Sequence, residues 1–261
     1  ITHAEQNIDR VSFETRRKEA ALQGRLRGLG FACFLETARS IPEEGAEIRF
    51  SSAGKIELRV GTESNGQGHE TTYAQIAQDY FGLPLDTFIY IHADTEETRM
   101  GYGHGGARSM HMGGSALIKT IQESLTKASK VAASLVQSAP EALKFMDGRF
   151  ICNNTGASIG LFDVARQALE QDPQRQGLNT FAKIEEVPFT YPNGCHAAEI
   201  EIDPDTGKLD LLRYVAADDY GRILNPLLTI GQVRGGVTQG IGQALGELSA
   251  YDETSGQLIT G

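Results

Sequence analysis

Two stretches of the chain alternate apolar and polar residues on both sides of a short turn that contains Gly-Lys. The first covers residues 46–60 with Gly54-Lys55 in its turn, and the second covers residues 195–215 with Gly207-Lys208. Alternation with a period of two predicts strands, and turn residues between two such runs predict a hairpin. Two such hairpins favour a fold built on antiparallel sheets.

Other stretches have a helical pattern. Tyr73, Ile76 and Tyr80 lie at helical spacing, and the segment that contains them ends at Gly82-Leu83-Pro84. The pattern predicts helices over residues 13–26 (ended by Gly28 and Gly30), 72–82, about 115–138 and 231–245, and a short buried strand over residues 87–92.

The order hairpin, glycine-rich link with a glutamine, helix occurs twice, and this indicates a weak internal duplication. We therefore predict an α+β fold of antiparallel hairpins with helices packed on one face, in two similar units. The predicted parts are an N-terminal helical or linking segment (1–45), a hairpin-helix-strand-helix unit (46–140), a connecting region (141–180) and a hairpin-helix unit (181–261).

Charge and composition exclude several functions. The chain has 24 Lys and Arg against 34 Asp and Glu, a net charge of −10, whereas a nucleic-acid binder needs a basic face. No apolar run approaches the roughly 20 residues of a membrane helix. The three cysteines, Cys33, Cys152 and Cys195, form no CxxC pair, and the six histidines have no familiar metal spacing. We therefore expect a reducing compartment and no metal held by protein side chains. Each cysteine could be a reactive thiol, but the simpler interpretation is a small buried apolar residue.

Two glycine clusters, Gly66-Gln67-Gly68-His69 and Gly101–Ser109, each precede a predicted helix. Glycines at such a place let backbone N–H groups approach an anion, so both clusters are candidate cradles for phosphate or pyrophosphate. Gln67, Arg108 and Ser109 add side-chain groups that can meet phosphate oxygens. The alternative, that these glycines only form tight turns, stays open from the residues alone.

No catalytic residue follows from the residues themselves. The segment 101–106 satisfies GxGxxG, but Ala93–Met100 separates it from the preceding strand and Glu123 lies within a predicted helix, so the dinucleotide-binding fingerprint fails on context. The acidic runs at 94–97 and 218–219 fit functional carboxylates and solvated loops equally well.

The segment 61–109, GTESNGQGHETT through GYGHGGARS, resembles the molybdopterin-binding part of the xanthine dehydrogenase and aldehyde oxidase family, which also includes the carbon monoxide dehydrogenase large subunit. The segments 25–36, 199–226 and 235–245 resemble further motifs of that family, in the same order along the chain. Ala93 and Ala107 depart from the family pattern, which has Gly and Ser there.

The resemblance implies a molybdopterin cofactor, as the cytosine dinucleotide, with molybdenum held by the pterin and no metal ligands from the protein. The residues implied to contact it are Gly66, Gln67, Gly68 and His69 (pyrophosphate or nucleotide), Gly106, Ala107, Arg108 and Ser109 (a second phosphate-binding segment), and Gln239 (pterin).

The resemblance also implies an oxidoreductase that hydroxylates aldehydes or N-heterocycles as the large subunit of an oligomer, with 2Fe-2S and FAD on other domains or subunits. The family's Gly-Phe segment and its active-site Glu fall outside these 261 residues, so we expect a partial chain that is inactive alone. We expect a cytoplasmic location, or a periplasmic one if a signal precedes Ile1. The competing hypotheses are a non-catalytic nucleotide- or phosphate-binding module and a structural assembly domain.

Overall fold

The computed structural model describes residues 1–171, 174 and 177–260, and parts of the predicted connecting region (172–173 and 175–176) lie outside it. The structure mixes helices with largely antiparallel sheets, which confirms the predicted α+β class. Its helices are α1 (Thr2–Ile8), α2 (Phe13–Leu22), α3 (His69–Phe81), α4 (Gly114–Leu135), α5 (Leu161–Gln171) and α6 (Pro226–Leu245).

In the part of the chain that the structure describes, the strands form three sheets. They are β1 (Leu26–Leu35), β2 (Glu44–Phe50), β3 (Ile56–Val60), β4 (Phe88–Ile91), β5 (Leu143–Met146), β6 (Arg149–Cys152), β7 (Ser158–Gly160), β8 (Thr180–Ile184), β9 (Asn193–Ile202) and β10 (Leu209–Asp219). The outer sheet has the order β1-β9-β10, the central sheet β4-β3-β2-β8, and the small sheet β5-β6-β7.

Both predicted hairpins are confirmed. β2 pairs antiparallel with β3, and β9 pairs antiparallel with β10. The intervening turns contain Gly54 and Gly207, with φ of 73° and 70°, a left-handed conformation that glycine adopts without steric cost. The hairpins lie in different sheets, and β4 joins the central sheet parallel to β3. The boundaries of the two predicted units stay a prediction.

The predicted helix over residues 13–26 is wrong at its C-terminal end. The helix ends at Leu22, Gly24 follows with φ of 73°, and the next residues form β1. Gly28 and Gly30, expected to end the helix, lie within β1 opposite Ile200 and Ala198. The glycines of this segment interrupt the apolar–polar alternation that would have predicted a strand. The segment is a strand because it pairs with β9.

The main core lies between the central sheet and α3, α4 and α5. Ile48, Leu58, Tyr73 and Ile121 are wholly buried there. A smaller core joins α1 to the outer sheet through Ile8 and neighbouring residues. Of the residues that the structure describes, no helix is long and apolar enough to cross a membrane.

Candidate cofactor-binding site

The first glycine cluster forms the N-terminus of α3. Gly66 and Gly68 have φ of 98° and 82°, so both need the left-handed conformation that glycine permits. Gly68 is the N-cap of α3 and makes no side-chain cap. The first N–H groups of a helix lack partners within it and carry the positive end of the helix dipole. This end of α3 can therefore accept an anion.

His69, the first residue of α3, is only 4% exposed. Its ring packs against Tyr73 and Tyr90, with centroids 5.3 and 6.5 Å away. Its Nδ1 is buried without a hydrogen-bond partner among the described residues. Burial lowers the pKa of His69, which favours the neutral imidazole. A buried ring nitrogen without a partner is rare in native proteins, so Nδ1 is free to bond a further polar group.

The second cluster places Arg108 in the interior, where neither Arg108 nor Glu44 is exposed at all. The Arg108 guanidinium donates from Nη1 to Glu44 Oε2 (2.5 Å) and Gly103 O (3.0 Å), and from Nη2 to Glu43 O (2.7 Å). The guanidinium is therefore bound by protein groups, and it fastens the 41–44 segment to the second cluster. Gly105, Gly106 and Ala107 of this cluster are exposed, as is the Tyr102 side chain.

The structure brings the two glycine clusters together. Gly61, before the first cluster, and Gly101, at the start of the second, approach so closely that a Cβ on either would overlap the backbone of the other. His104 Nδ1 lies 2.5 Å from Glu63 Oε1, which adds a side-chain link between the segments. The predicted contact residues 66–69 and 106–109 therefore belong to two joined loops.

Two neighbouring cavities lie beside these loops. The first, of about 520 Å³, is lined by Gln67 and His69 and by one face of α6. The second, of about 630 Å³, is lined by Ala107. Both cavities share four lining residues, which are Met110, Tyr220, Arg222 and Leu224. Each predicted loop thus borders a different part of one recessed region.

Helix α6 supplies the opposite wall of the first cavity. Asn225 caps α6 by accepting from Leu228 N (3.1 Å), and its Nδ2 donates to Gln75 Oε1 of α3 (3.0 Å). A Cβ on Gly68 would lie 2.7 Å from Leu228 Cδ1, so the loop passes close to α6. These contacts set the distance between the N-termini of α3 and α6.

The predicted pterin contact Gln239 is exposed and lines neither cavity, whereas Gln232 lines the first. The two glutamines are seven residues apart on α6, which places them on the same face two turns apart. Gln232 was not among the residues predicted from the sequence. The signal that could have found it is this spacing, read with the helix start at Pro226.

A polar cluster adjoins the first cavity through His196. His196 Nε2 lies 3.0 Å from Asp218 Oδ1, and its Nδ1 lies 2.8 Å from the Tyr214 hydroxyl. The Tyr220 hydroxyl donates to Asp218 Oδ2 (2.9 Å). Asp218, which the sequence left as either functional or solvated, therefore positions two side chains that line the cavity.

The fold and site define a class: an α+β domain that presents two joined glycine-rich loops to a recessed, largely apolar region. The sequence matches the family described as molybdopterin cofactor-binding domain over residues 4–261, and the chain belongs to that family. This confirms the resemblance seen in the sequence.

Curated relatives and solved structures agree with the family. The chain is 31% identical over its whole length to the 6-hydroxypseudooxynicotine dehydrogenase complex subunit gamma of Paenarthrobacter nicotinovorans, of which it covers 34%. It is 30% identical over 97% of its length to the carbon monoxide dehydrogenase large chain of Hydrogenophaga pseudoflava, again covering 34%. Quinoline 2-oxidoreductase from Pseudomonas putida 86 superposes with a TM-score of 0.85 at 29% identity, over 99% of this chain and 35% of that one. The chain spans about a third of the length of the relatives it matches.

Proposed function

We propose that this chain is the cofactor-binding part of a molybdenum hydroxylase, in which the α3 and 106–109 loops hold the anionic part of a molybdopterin cofactor. The observation that carries the proposal is the buried Nδ1 of His69, which has no hydrogen-bond partner in the described part of the chain and lies at the N-terminus of α3, where no side chain caps the helix. Together they offer polar partners at the edge of the first cavity, and this donor set fits a phosphate-bearing group.

The residues proposed to hold the cofactor keep the set predicted from the sequence, with a changed role for one. Backbone N–H groups of residues 66–69 and 106–109 would meet its phosphates, and Gln67 would bind through its amide. Arg108 would hold the second loop in place from the protein interior instead of contacting the cofactor, because its guanidinium is bound to Glu44. Gln239 stays in the proposed set, and Gln232 joins it from the cavity wall.

The bound cofactor would supply molybdenum for hydroxylating a carbon centre with oxygen derived from water. The chain's own residues would bind and orient it, and the apolar wall of α6 would exclude water from the first cavity. We propose the cytosine dinucleotide as its form, aldehydes or N-heterocycles as the substrate class, and 2Fe-2S and FAD on partner domains or subunits. Cytoplasmic location and oligomerisation belong to the same proposal.

Metal and pterin analysis of the full-length protein that carries this chain tests the proposal. Protein from cells grown with molybdate is expected to contain molybdenum and pterin in equal amounts and to release a cytidine nucleotide on acid hydrolysis. Absence of molybdenum and pterin, with saturable binding of free cytidine nucleotide, would support the nucleotide-binding module instead. Absence of molybdenum, of pterin and of nucleotide binding would support the structural assembly domain.

A further inference from the structure

Cys33 on β1 and Cys195 on β9 lie directly opposite each other in the outer sheet. Opposed residues of antiparallel strands project to the same face, with Cα atoms about 4.5 or 5.5 Å apart depending on the type of pair. Disulfides span Cα separations of roughly 4.4–6.8 Å. The Cα separation of either type of pair falls within that range, and the register has no irregularity here, so the pairing is compatible with a disulfide.

The two thiols differ in exposure. Cys33 is exposed, whereas Cys195 is 2% exposed and packs with Ile8 and Ala197 in the smaller core. Both line a surface cleft of about 620 Å³. Burial, followed by the neighbouring Cys33 thiol, raises the pKa of Cys195. Because Cys33 is the exposed thiol, an oxidant from solution reaches it first. Cys195, directly opposite, is then placed to react with the oxidised Cys33 sulfur.

We propose that Cys33 and Cys195 form a redox-sensitive dithiol that a hydroperoxide converts into a cross-strand disulfide. The Cys33 sulfur attacks the peroxide O–O bond, becomes a sulfenic acid and releases the alcohol, or water from hydrogen peroxide. The Cys195 sulfur then attacks the Cys33 sulfur, forming the S–S bond and releasing water. In sum, two thiols and one hydroperoxide give one disulfide, one alcohol and one water.

The disulfide would lie directly behind the first cavity. Phe34 and His196 follow the two cysteines along their strands and therefore project to the opposite face of the sheet. There they line the first cavity, with ring centroids 5.8 Å apart. Oxidation would tie together the two strands that carry this wall. The inference does not depend on the proposed cofactor.

Peptide mapping tests the proposal, because trypsin places the three cysteines on separate peptides, residues 28–39, 150–166 and 184–208. The protein that carries the chain is reduced, treated with hydrogen peroxide, alkylated and digested. We expect a linked peptide joining 28–39 to 184–208, lost on treatment with dithiothreitol, and an unlinked 150–166 peptide. Links from Cys33 to a second molecule, or sulfinic acid at Cys33 without the linked peptide, would overturn the proposal.

Two variants separate the steps. Cys195→Ala keeps Cys33 but removes the resolving thiol, so dimedone labelling of Cys33 is expected to rise at least about tenfold over the unaltered protein. Cys152→Ser is the matched control, because Cys152 lies in β6 of the small sheet, and it should leave the linked peptide unchanged. Equal dimedone labelling in Cys195→Ala and in the unaltered protein would contradict the proposed order.

Discussion

Arg108 and Glu44 form an ion pair that solvent does not reach, with Nη1 2.5 Å from Oε2. The pair lies beneath both glycine-rich loops, since Arg108 belongs to the second and a Cβ on Gly61 would overlap the Glu44 carboxylate. A buried pair costs much desolvation free energy, and removing one partner leaves the other charge uncompensated. The pair keeps Arg108 in place, and the other N–H groups of Arg108 then hold the loop backbone by donating to Gly103 O and Glu43 O.

Arg108→Met is expected to lower the free energy of unfolding by about 3–5 kcal/mol, because it leaves Glu44 buried without its partner. The double variant Arg108→Met with Glu44→Leu should lose less than Arg108→Met alone. Urea denaturation measures both. The control is Arg166→Ala, which breaks the exposed pair with Asp163 and should cost about 0–1 kcal/mol. Equal costs for the buried and exposed variants would show that the pair does not hold the loops.

The cradle can be tested with two glycines that both have positive φ and open space around them. Gly66 and Gly54 both have positive φ, and a Cβ on either would meet no atom within 4 Å. Gly66→Ala and Gly54→Ala should both carry a conformational cost, larger at Gly66 because its φ of 98° lies further from the left-handed region than the 73° of Gly54. Only Gly66→Ala is expected to reduce cofactor content, because its Cβ would keep a phosphate away from the loop N–H groups. Loss of one charge-assisted hydrogen bond worth about 1.5–3 kcal/mol would lower the affinity roughly tenfold or more.

Molybdenum and pterin content per protein, corrected for the folded fraction, provides the measurement. A similar loss in both variants would place the effect on folding and would count against a cradle at residues 66–69.

Ala93 has φ of 59°, in the left-handed region that disfavours residues with a Cβ. That conformation costs about 1–2 kcal/mol for a residue other than glycine, and glycine loses about 0.5–1 kcal/mol through its greater freedom when unfolded. Ala93→Gly is therefore expected to raise the unfolding free energy by about 0.5–1 kcal/mol. Ala139→Gly, at φ of −81°, is the control and should lower it. A loss of stability in both variants would refute the strain at Ala93.

Asn225 has two separable roles at the start of α6. Asn225→Ala removes both the cap and the bond to Gln75, and should cost about 1 kcal/mol of unfolding free energy or somewhat more. Asn225→Asp keeps the capping oxygen and loses only the donor to Gln75, so most of the stability should remain. Thermal denaturation of the two variants makes the comparison. If Asn225→Asp is as damaging as Asn225→Ala, the link to α3 outweighs the cap.

The Arg16–Glu199 pair predicts a pH dependence. Arg16 donates from Nε and Nη2 to the two oxygens of Glu199 (3.0 and 2.6 Å), which is 1% exposed. Hydrogen bonding to Arg16 lowers the pKa of Glu199. A folded-state pKa below the unfolded value of about 4.3 stabilises the fold above that pH, and the contribution is lost as the pH falls through the folded pKa.

The difference in unfolding free energy between the unaltered protein and Glu199→Gln should therefore be large near pH 7 and shrink below about pH 4. Glu14→Gln, which breaks an exposed pair with Arg17, should show a small difference at every pH. A Glu199→Gln difference that stays constant down to about pH 3 would contradict the assigned cause.

Local patterns predicted the parts of the fold that local chemistry decides. The hairpins follow from alternation around Gly54 and Gly207, and α3 follows from apolar spacing and the glycine at its end. The glycine cluster before α4 located that helix. β1 escaped prediction because its strand state depends on partners in β9, such as Ile202 opposite Leu26. The ion-pair partner of the basic residues 16–27 could not be predicted either, because Glu199 lies 183 residues beyond Arg16 in the sequence.

The site was predictable to the level of loops and not of side chains. Glycines marked both loops, because positive φ at Gly66 and Gly68 is a backbone requirement that composition reveals. The direction of Arg108 depends on Glu44, which no local pattern connects with it. Gln232 was missed because its place on the cavity wall depends on how α6 packs beside α3.

The close approach of Gly61 and Gly101 has an evolutionary consequence. Neither position has room for a side chain. The atoms in the way are mainly backbone atoms, which a substitution at a neighbouring residue cannot remove. The two positions are therefore expected to be constrained together, and both should remain glycine in every homologue whose loops keep this contact. A natural variant that loses one glycine should also have changed the length or path of a loop.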